Sequence, residues 1–493
     1  MLLNKKENSD STLFVDLDGT LTATDILFES IVIFLKNNPF RIIYLFLWCL
    51  SGKAYLKEQL SQKVDLNISI LPYRQEVLEY IREAKLSGQQ VVLATATHHK
   101  IANAISNHLA IFNDVIATNR NINLKGNRKL DAILDYVGEQ SFDYIGDSKS
   151  DVAIWRAARK TIIINPSASL LKTLSNNTNV RTVKTGKGSN NLIVWIKAIR
   201  IHQWSKNFLL FLPLIMAHRL FDFNLLLENV LAFVSFSLTA SAGYIFNDLI
   251  DLETDRQNIQ KKQRPFASGM LSVKSGSIAF LSLILVSFTT ALFTMPKLFS
   301  IILFLYFIIT MAYSLFLKSK VIIDVITLSI LYNIRIIAGG ISIAIPISSW
   351  LIVFSTFLFT SLAFLKRYAD LKLLGKSQKN IEGRGYLKKD IDFVRSSGIA
   401  SGYISLLVLT LYIYSEHVTK LYKQPFLLWL CIPFILYYIS RMWLKTNRGE
   451  MTNDPIIFII KDYISYIILI IMAVIIFLSK TLDLHISYNL LFR

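Results

Sequence analysis

Cysteine is almost absent from this chain: two residues in 493, Cys49 and Cys431, far apart in apolar runs. That excludes a disulfide framework and a cysteine-ligated zinc site, and both thiols are expected to be buried small hydrophobes. Charge is scarce as well. Asp, Glu, Lys and Arg make up 18% of the residues, against roughly a quarter in soluble domains. The acidic sign is the scarcer one, 34 against 53 basic, so the net charge is +19 and the pI near 9.6. Met1–Asp10 has no apolar core and so does not read as a signal peptide, which predicts a cytoplasmic N-terminal part.

What the chain does have is apolar surface. It is 53% hydrophobic and 12% aromatic, with a mean hydropathy of +0.44. This composition points to a membrane protein rather than to disorder. The pattern changes along the chain. From Ser11 to about Ser169, short apolar runs at Leu13–Leu17, Val91–Ala94, Tyr144–Ile145 and Ile162–Ile164 alternate with charged helical stretches such as Tyr73–Leu86 and Lys129–Tyr136. That alternation predicts buried parallel strands in a doubly wound α/β domain over 1–175. Residues 176–191, rich in Asn, Thr, Gly and Lys, read as a linker. An all-α membrane domain is expected over 192–493, with about nine spans near 207–218, 225–246, 277–295, 298–317, 321–345, 349–365, 396–414, 426–440 and 456–479. The first of these runs is short, and Leu192–Trp204 before it reads either as an interfacial helix or as an extension of the span.

Loop charge predicts the orientation. Lysine and arginine in loops 252–275, 318–320, 366–395 and 441–455 outnumber those in the opposite loops by about three to one, which places the richer set in the cytoplasm. The expected location is a bacterial-type inner (plasma) membrane, multi-pass, with the N-terminal domain inside and the C-terminus outside. Much of the basic surplus then follows topology, so a nucleic-acid partner is not expected. The bilayer is, and assembly with further copies stays open.

In the N-terminal domain, Asp16-Leu17-Asp18-Gly19-Thr20 closes a predicted strand. Carboxylates at i and i+2 on an extended segment can both face a crevice at the carboxyl edge of a parallel sheet. Thr95 ends the next predicted strand, Lys125 and Lys129 open a helix, and Tyr144-Ile145-Gly146 runs into Asp147 and Asp151. Over about the first 170 residues this series resembles the haloacid dehalogenase-like phosphatase superfamily, which implies a Rossmann-like fold with a helical cap, here about 25–90. The resemblance implies Asp16 as the nucleophile and Asp18 as general acid and base. It also implies Thr95 and Lys129 as phosphate ligands, with Lys125 a competing lysine, and Mg2+ held by Asp16, Asp18, Asp147 and Asp151. For Asp151 a helix cap is the competing, weaker reading. His98 and His99 read as an exposed helix start. Within the cap, the run Ile42–Leu50 is too short to span and is expected to be a buried cap helix, with a membrane-facing surface as the alternative.

In the membrane domain, Asn247, Asp251 and Asp255 follow an apolar run at i, i+4 and i+8, one helical face. Like charges at that spacing repel, and acids near membrane depth are costly, so a divalent cation with a pyrophosphate is the expected occupant. Asn247-Asp248-x-x-Asp251-x-x-x-Asp255 resembles the signature of the UbiA-type intramembrane prenyltransferases. Arg200–Asn207, Lys262–Gly269, Arg335–Gly340 and Lys366–Asp370 look like its decaprenyl-phosphate phosphoribosyltransferase branch. That likeness implies Mg2+, phosphoribosyl pyrophosphate as donor and a polyprenyl phosphate lipid as acceptor. Asp251 and Asp255 would carry the reaction, with Lys206, Asn207, Asn247, Arg264, Tyr313, Lys318, Lys366, Arg367 and Tyr368 at the substrate. Lys318 reads equally as a topology signal, and Tyr313 and Tyr368 as interfacial tyrosines. The second acid pair of ordinary family members is missing; Lys366 and Arg367 stand there instead. The competing reading is an aromatic prenyltransferase for a hydroxybenzoate or quinone precursor, fused to an unrelated phosphatase domain. Removal of the product's 5-phosphate by the N-terminal domain, and action on an unrelated soluble substrate, are both open.

Overall fold

The computed structural model describes residues 11–174, 180–183, 185, 191–259, 261–374, 383–415, 418, 421–451 and 455–482. It divides into two compact units, Met1–Ile199 with Tyr244–Leu281, and Arg200–Gly243 with Ser282–Arg493.

The first unit is built on six parallel strands: β1 Thr12–Val15, β2 Val91–His98, β3 Asp114–Thr118, β4 Phe142–Gly146, β5 Lys160–Ile164 and β6 Val180–Val183. Their order is β3-β2-β1-β4-β5-β6. Buried on both faces, β1 reads as an unbroken apolar run rather than an alternating one. Leu13 and Val15 pack with Val77, Leu78 and Ile81 of helix Gln75–Leu86 on one face. Phe14 packs with Ile133 and Trp155 on the other. The chain leaves β1 toward β2 on one side and later fills β4 on the other. The crevice beyond the carboxyl ends of β1 and β4 is therefore the topological switch point where ligands bind in such sheets.

Two strands lie outside the sequence expectation. β3 is bounded by polar residues and starts on Asp114, so its apolar run is too brief to register. β6 falls inside the stretch expected as linker: Val-Arg-Thr-Val alternates with β-branched ends and pairs with β5. The linker reading therefore does not hold for Val180–Val183; most of the rest of 176–191 lies outside the described residues.

The cap consists of helices Ile26–Asn37, Ile42–Leu50 and Lys53–Lys63 around Phe34, Leu45, Trp48, Leu56 and Leu60. The expectation of a buried helix at Ile42–Leu50 is corrected. Only Leu45 and Trp48 face inward, because nine residues that are apolar all round offer more surface than the two-helix contact can cover. Cys49 lies on this helix and is exposed, against expectation, whereas Cys431 is buried.

Among the described residues, eight helices are long and apolar enough to cross a membrane: Phe223–Ile250, Val273–Thr294, Lys297–Leu315, Ile323–Ser342, Ser349–Lys372, Lys388–Ile413, Pro425–Asn447 and Tyr463–Thr481. The span expected near 207–218 takes another form, a 3-10 helix over Ile201–Phe211 followed by the α-helix Leu212–Met216. At about 2.0 Å and 1.5 Å per residue, these segments together cover about 30 Å, the thickness of a hydrocarbon core. Within the first unit, Arg256 from the loop after Phe223–Ile250 is paired with Glu29 of the cap, a pairing that predicts a further crossing between Ile199 and Phe223. Gly339 permits the packing, since a Cβ there would lie 2.0 Å from the Leu210 carbonyl oxygen.

Candidate active sites

Asp16 follows the last residue of β1, its N–H bonded to the Ile145 carbonyl of β4 at 3.0 Å. Asp147 and Asp151 follow β4. One oxygen from each of Asp16, Asp147 and Asp151 lies within 4.8 Å of the others. Among the described residues no other group of three acids, histidines or cysteines converges in this way. Gly19 makes the convergence possible: its φ is +78°, and a Cβ would lie 2.1 Å from the Asp147 carboxylate.

Lys129 reaches the same point. Its Nζ donates to Asp16 at 2.9 Å, to the Tyr144 hydroxyl at 2.9 Å and to Asp151 at 3.4 Å, and it is buried. Burial opposes its charge, but Asp16 and Asp151 outweigh that and hold the ammonium above the usual lysine range. Lys125 is exposed, so Lys129 is the lysine at the carboxylates. Asp151 takes the capping role and also faces the site. One oxygen accepts from the Ser148 N–H at 3.2 Å and hydroxyl at 3.0 Å, completing a capping box, and the other faces Lys129 and Tyr144.

Asp18 points elsewhere. It accepts from the Ile26 N–H at 2.8 Å and the Thr97 hydroxyl at 2.8 Å. Burial, reinforced by Asp25, pushes its carboxyl up to about 7. A group that is part-protonated near neutral pH suits a general acid. Burial also raises Asp16 to about 6, with Asp151 adding and Lys129 opposing, and raises Asp147 to about 7 with help from Asp16. Thr95 is buried at the site edge and accepts the Thr97 N–H at 3.0 Å. Sequence reasoning passed over Thr97, although it shares a strand face with Thr95. It also passed over Lys57 of the cap, which donates to Asn123 at 2.8 Å and to the Ala96 carbonyl, and which burial lowers to about 8. His98 is buried and caps the helix His99–Leu109, whereas His99 is exposed as expected. Three converging carboxylates, Asp16 and Asp151 buried and Asp147 half-buried, are a donor set that fits a hard divalent cation.

The second acid motif lies at the end of Phe223–Ile250. The helix turns at Asp251, and the short helix Leu252–Gln257 continues it. The Asp251 N–H donates to Asn247 at 3.0 Å and the Asp255 N–H to Asp251 at 2.8 Å. The three residues thus stand one turn apart along one face, as their spacing predicts. Arg264 donates to Asp255 at 2.7 Å and to Asp248 at 3.1 Å. Asp248 is a member of the motif that sequence reasoning left without a role. Burial raises the Asp255 carboxyl, against the pull of Arg264.

Arg256 donates to both Glu29 oxygens, at 3.0 and 2.5 Å, and to the Ala267 carbonyl at 3.2 Å. The loop that carries Arg264 is therefore clasped to the helical cap, and Gly269 of that loop packs on Ala23.

In the second unit, Arg367 is buried and its charge is balanced internally. It donates to Asp324 at 2.6 Å, to Asp370 at 2.8 Å and to the Tyr313 hydroxyl at 3.2 Å. Arg384 joins the cluster through Tyr313 at 3.1 Å, and Tyr386 donates to Asp324 at 2.7 Å. Asp324, Arg384 and Tyr386 had no sequence signal, because Asp324 and the loop carrying Arg384 and Tyr386 are far from Arg367 along the chain. Asn207 is buried, donating to Ser237 at 3.0 Å and accepting from Arg335 at 2.8 Å. The Tyr368 hydroxyl donates to Asn447 at 2.6 Å. Neither contacts the Arg367 cluster through these bonds. Lys206, Lys318 and Lys366 are half-buried.

The helical architecture with its acid motif at a span end defines an integral membrane protein, and residues 208–461 match the UbiA prenyltransferase family. The chain belongs to that family. An uncharacterized protein y4nM of Sinorhizobium fredii is 34% identical over 459 residues, 92% of this chain and 88% of the relative. Nodulation protein NoeC of Azorhizobium caulinodans is 32% identical over 271 residues, 55% of this chain and 88% of its own length. Decaprenyl-phosphate phosphoribosyltransferase of Mycobacterium tuberculosis is 35% identical over 182 residues, 36% of this chain and 60% of that enzyme.

Proposed function

We propose that the membrane domain transfers 5-phosphoribose from phosphoribosyl pyrophosphate to a polyprenyl phosphate. The observation that carries this reading is Phe364–Asp370, where Lys366 and Arg367 stand in place of the family's second acid pair. A substrate with phosphate at both ends calls for one acid motif and a set of cations, not two acid motifs. The similarity to decaprenyl-phosphate phosphoribosyltransferase supports the same donor and acceptor. In the reaction the bond from the ribose anomeric carbon to pyrophosphate breaks, and a lipid phosphate oxygen forms the new one. That oxygen is already an anion, so no general base is needed. Asn247, Asp251 and Asp255 would hold Mg2+, which supplies charge neutralisation for the departing pyrophosphate. Lys206, Asn207, Arg264, Tyr313, Lys318, Lys366, Arg367 and Tyr368 complete the proposed substrate set, Arg367 acting through the Tyr313 cluster.

The N-terminal domain is proposed to be a phosphatase acting on the 5-phosphate of that lipid product. Asp16 attacks phosphorus, and Asp18 gives a proton to the leaving alkoxide. Asp18 then takes a proton from the water that cleaves the aspartyl-phosphate. Lys129 and Thr95 hold the phosphoryl oxygens. Asp16, Asp147 and Asp151, with the Asp18 backbone, would hold a second Mg2+ that supplies charge neutralisation for the phosphoryl group. The pairing of Glu29 with Arg256 supports a shared substrate, since it joins the phosphatase cap to the transferase loop. Both sites are placed on the cytoplasmic side of a bacterial inner membrane.

The test supplies purified protein, Mg2+ and polyprenyl phosphate with ribose-labelled phosphoribosyl pyrophosphate, and weighs the lipid product. Wild type is expected to yield polyprenyl-phosphoryl ribose, and Asp16→Asn the form heavier by one phosphate. Label absent from the lipid fraction overturns the transferase reading. Identical phosphorylated product from both proteins overturns the coupling alone.

A further inference from the structure

The cap carries an apolar helix that the fold leaves uncovered. On Ile42–Leu50, the residues Ile42, Ile43, Tyr44, Phe46, Leu47 and Leu50 are all exposed, as is Phe40 just before it, at 82%. Few soluble surfaces present such a continuous patch. The helix is nine residues and about 14 Å long, so it cannot span a bilayer. Its flanks are of one sign. Lys36 and Arg41 precede it and Lys53 follows, with no acid between Ser30 and Lys57. An apolar helix bordered by cations matches an anionic lipid surface, with side chains in the acyl boundary and ammonium groups among phosphates.

What covers the patch follows from continuity. The preceding cap helix, Ile26–Asn37, meets the end of the span Phe223–Ile250: Glu29, Val32 and Ile33 line one groove with Leu249, Ile250 and Leu252. The cap is therefore held at the depth where that span leaves the hydrocarbon. The geometry points to insertion of the cap helix Ile42–Leu50 into the interfacial layer of the chain's own membrane, on anionic phospholipid. This inference depends on the membrane domain but not on either proposed substrate. It reaches the phosphatase site as well, because Gly52, at φ +106°, turns the chain directly into the helix that carries Lys57.

The exposed thiol supplies the probe. Cys431→Ala leaves Cys49 as the single cysteine, to be labelled with a polarity-sensitive fluorophore in full-length protein. The protein is reconstituted into phosphatidylglycerol–phosphatidylethanolamine vesicles containing a nitroxide-labelled lipid. The expected result is strong quenching by the lipid nitroxide and about fivefold weaker quenching by aqueous iodide than in detergent. Phe46→Glu with Leu47→Glu, both at exposed positions, should reverse the pattern. A probe open to iodide in vesicles overturns the proposal. So does shielding that disappears as the protein is diluted in lipid, which would mean contact between copies.

Discussion

Asp16, Asp18 and Asp147 have carboxyl groups raised by burial to about 6, 7 and 7, whereas in an unfolded chain they titrate near 4. Between about pH 4 and pH 7 the folded domain then holds more protons than the unfolded one, so its stability falls as pH rises through that window. A divalent cation binds the ionised carboxylates and works in the opposite direction. Metal-free protein should therefore melt at a lower temperature at pH 8 than at pH 5, and added Mg2+ should raise the melting temperature at pH 7.5 but not at pH 5. Equal stabilisation at both pH values would dissociate Mg2+ from these acids. The residues behind this behaviour were legible to different degrees. Asp16, Asp147 and Asp151 stand at strand ends, where periodicity alone puts them at one sheet edge. Lys125 and Lys129 are equivalent by spacing; only the reach of the Lys129 side chain to Asp16 separates them. Thr97 was hidden because β2 extends to His98, past a register shift, instead of ending at Ala94.

Among the elements, the long apolar helices were legible because about 20 residues of one character leave few alternatives. The crossing at Ile201–Met216 was harder to read, since a 3-10 helix reaches the same length with fewer residues. The cap helix was misjudged because apolar composition does not say whether protein or lipid will cover it. Helix Ser349–Lys372 holds the least legible feature, the buried Arg367 between Asp370 on its own helix and Asp324 on another. Removing one partner of a buried pair leaves a bare charge and costs about 3–5 kcal/mol. Arg367→Met should accordingly lower stability in detergent by that order, measured by equilibrium unfolding followed by intrinsic tryptophan fluorescence. Arg367→Met with Asp324→Asn should recover a good part of it, since the stranded carboxylate is gone. Full stability in the single variant would show that Arg384 alone satisfies Asp324.

For the whole molecule, the pairing of Glu29 with Arg256 fixes which segments share a side. A cysteine placed at Lys125 or at Lys262 should react with a membrane-impermeant maleimide from the same face. One placed at Phe221, 98% exposed between the first two crossings, should react only from the other. In inside-out vesicles the first pair is expected to label and the last to stay protected. Labelling of all three from one face would remove the crossing at Ile201–Met216.

The same clasp has a consequence for dose. Two enzymes that meet by diffusion hand over an intermediate at a rate set by their abundance, so the intermediate accumulates when either is scarce. Under the proposed function, hydrolase and transferase are one polypeptide and so are present at one copy per copy, however little protein the cell makes, and the Glu29–Arg256 pair keeps the cap at the loop after the acid motif. Transfer and dephosphorylation would then keep first-order coupling. Diluting the protein a hundredfold in lipid should leave the phosphorylated fraction of the product unchanged, with the total falling in proportion.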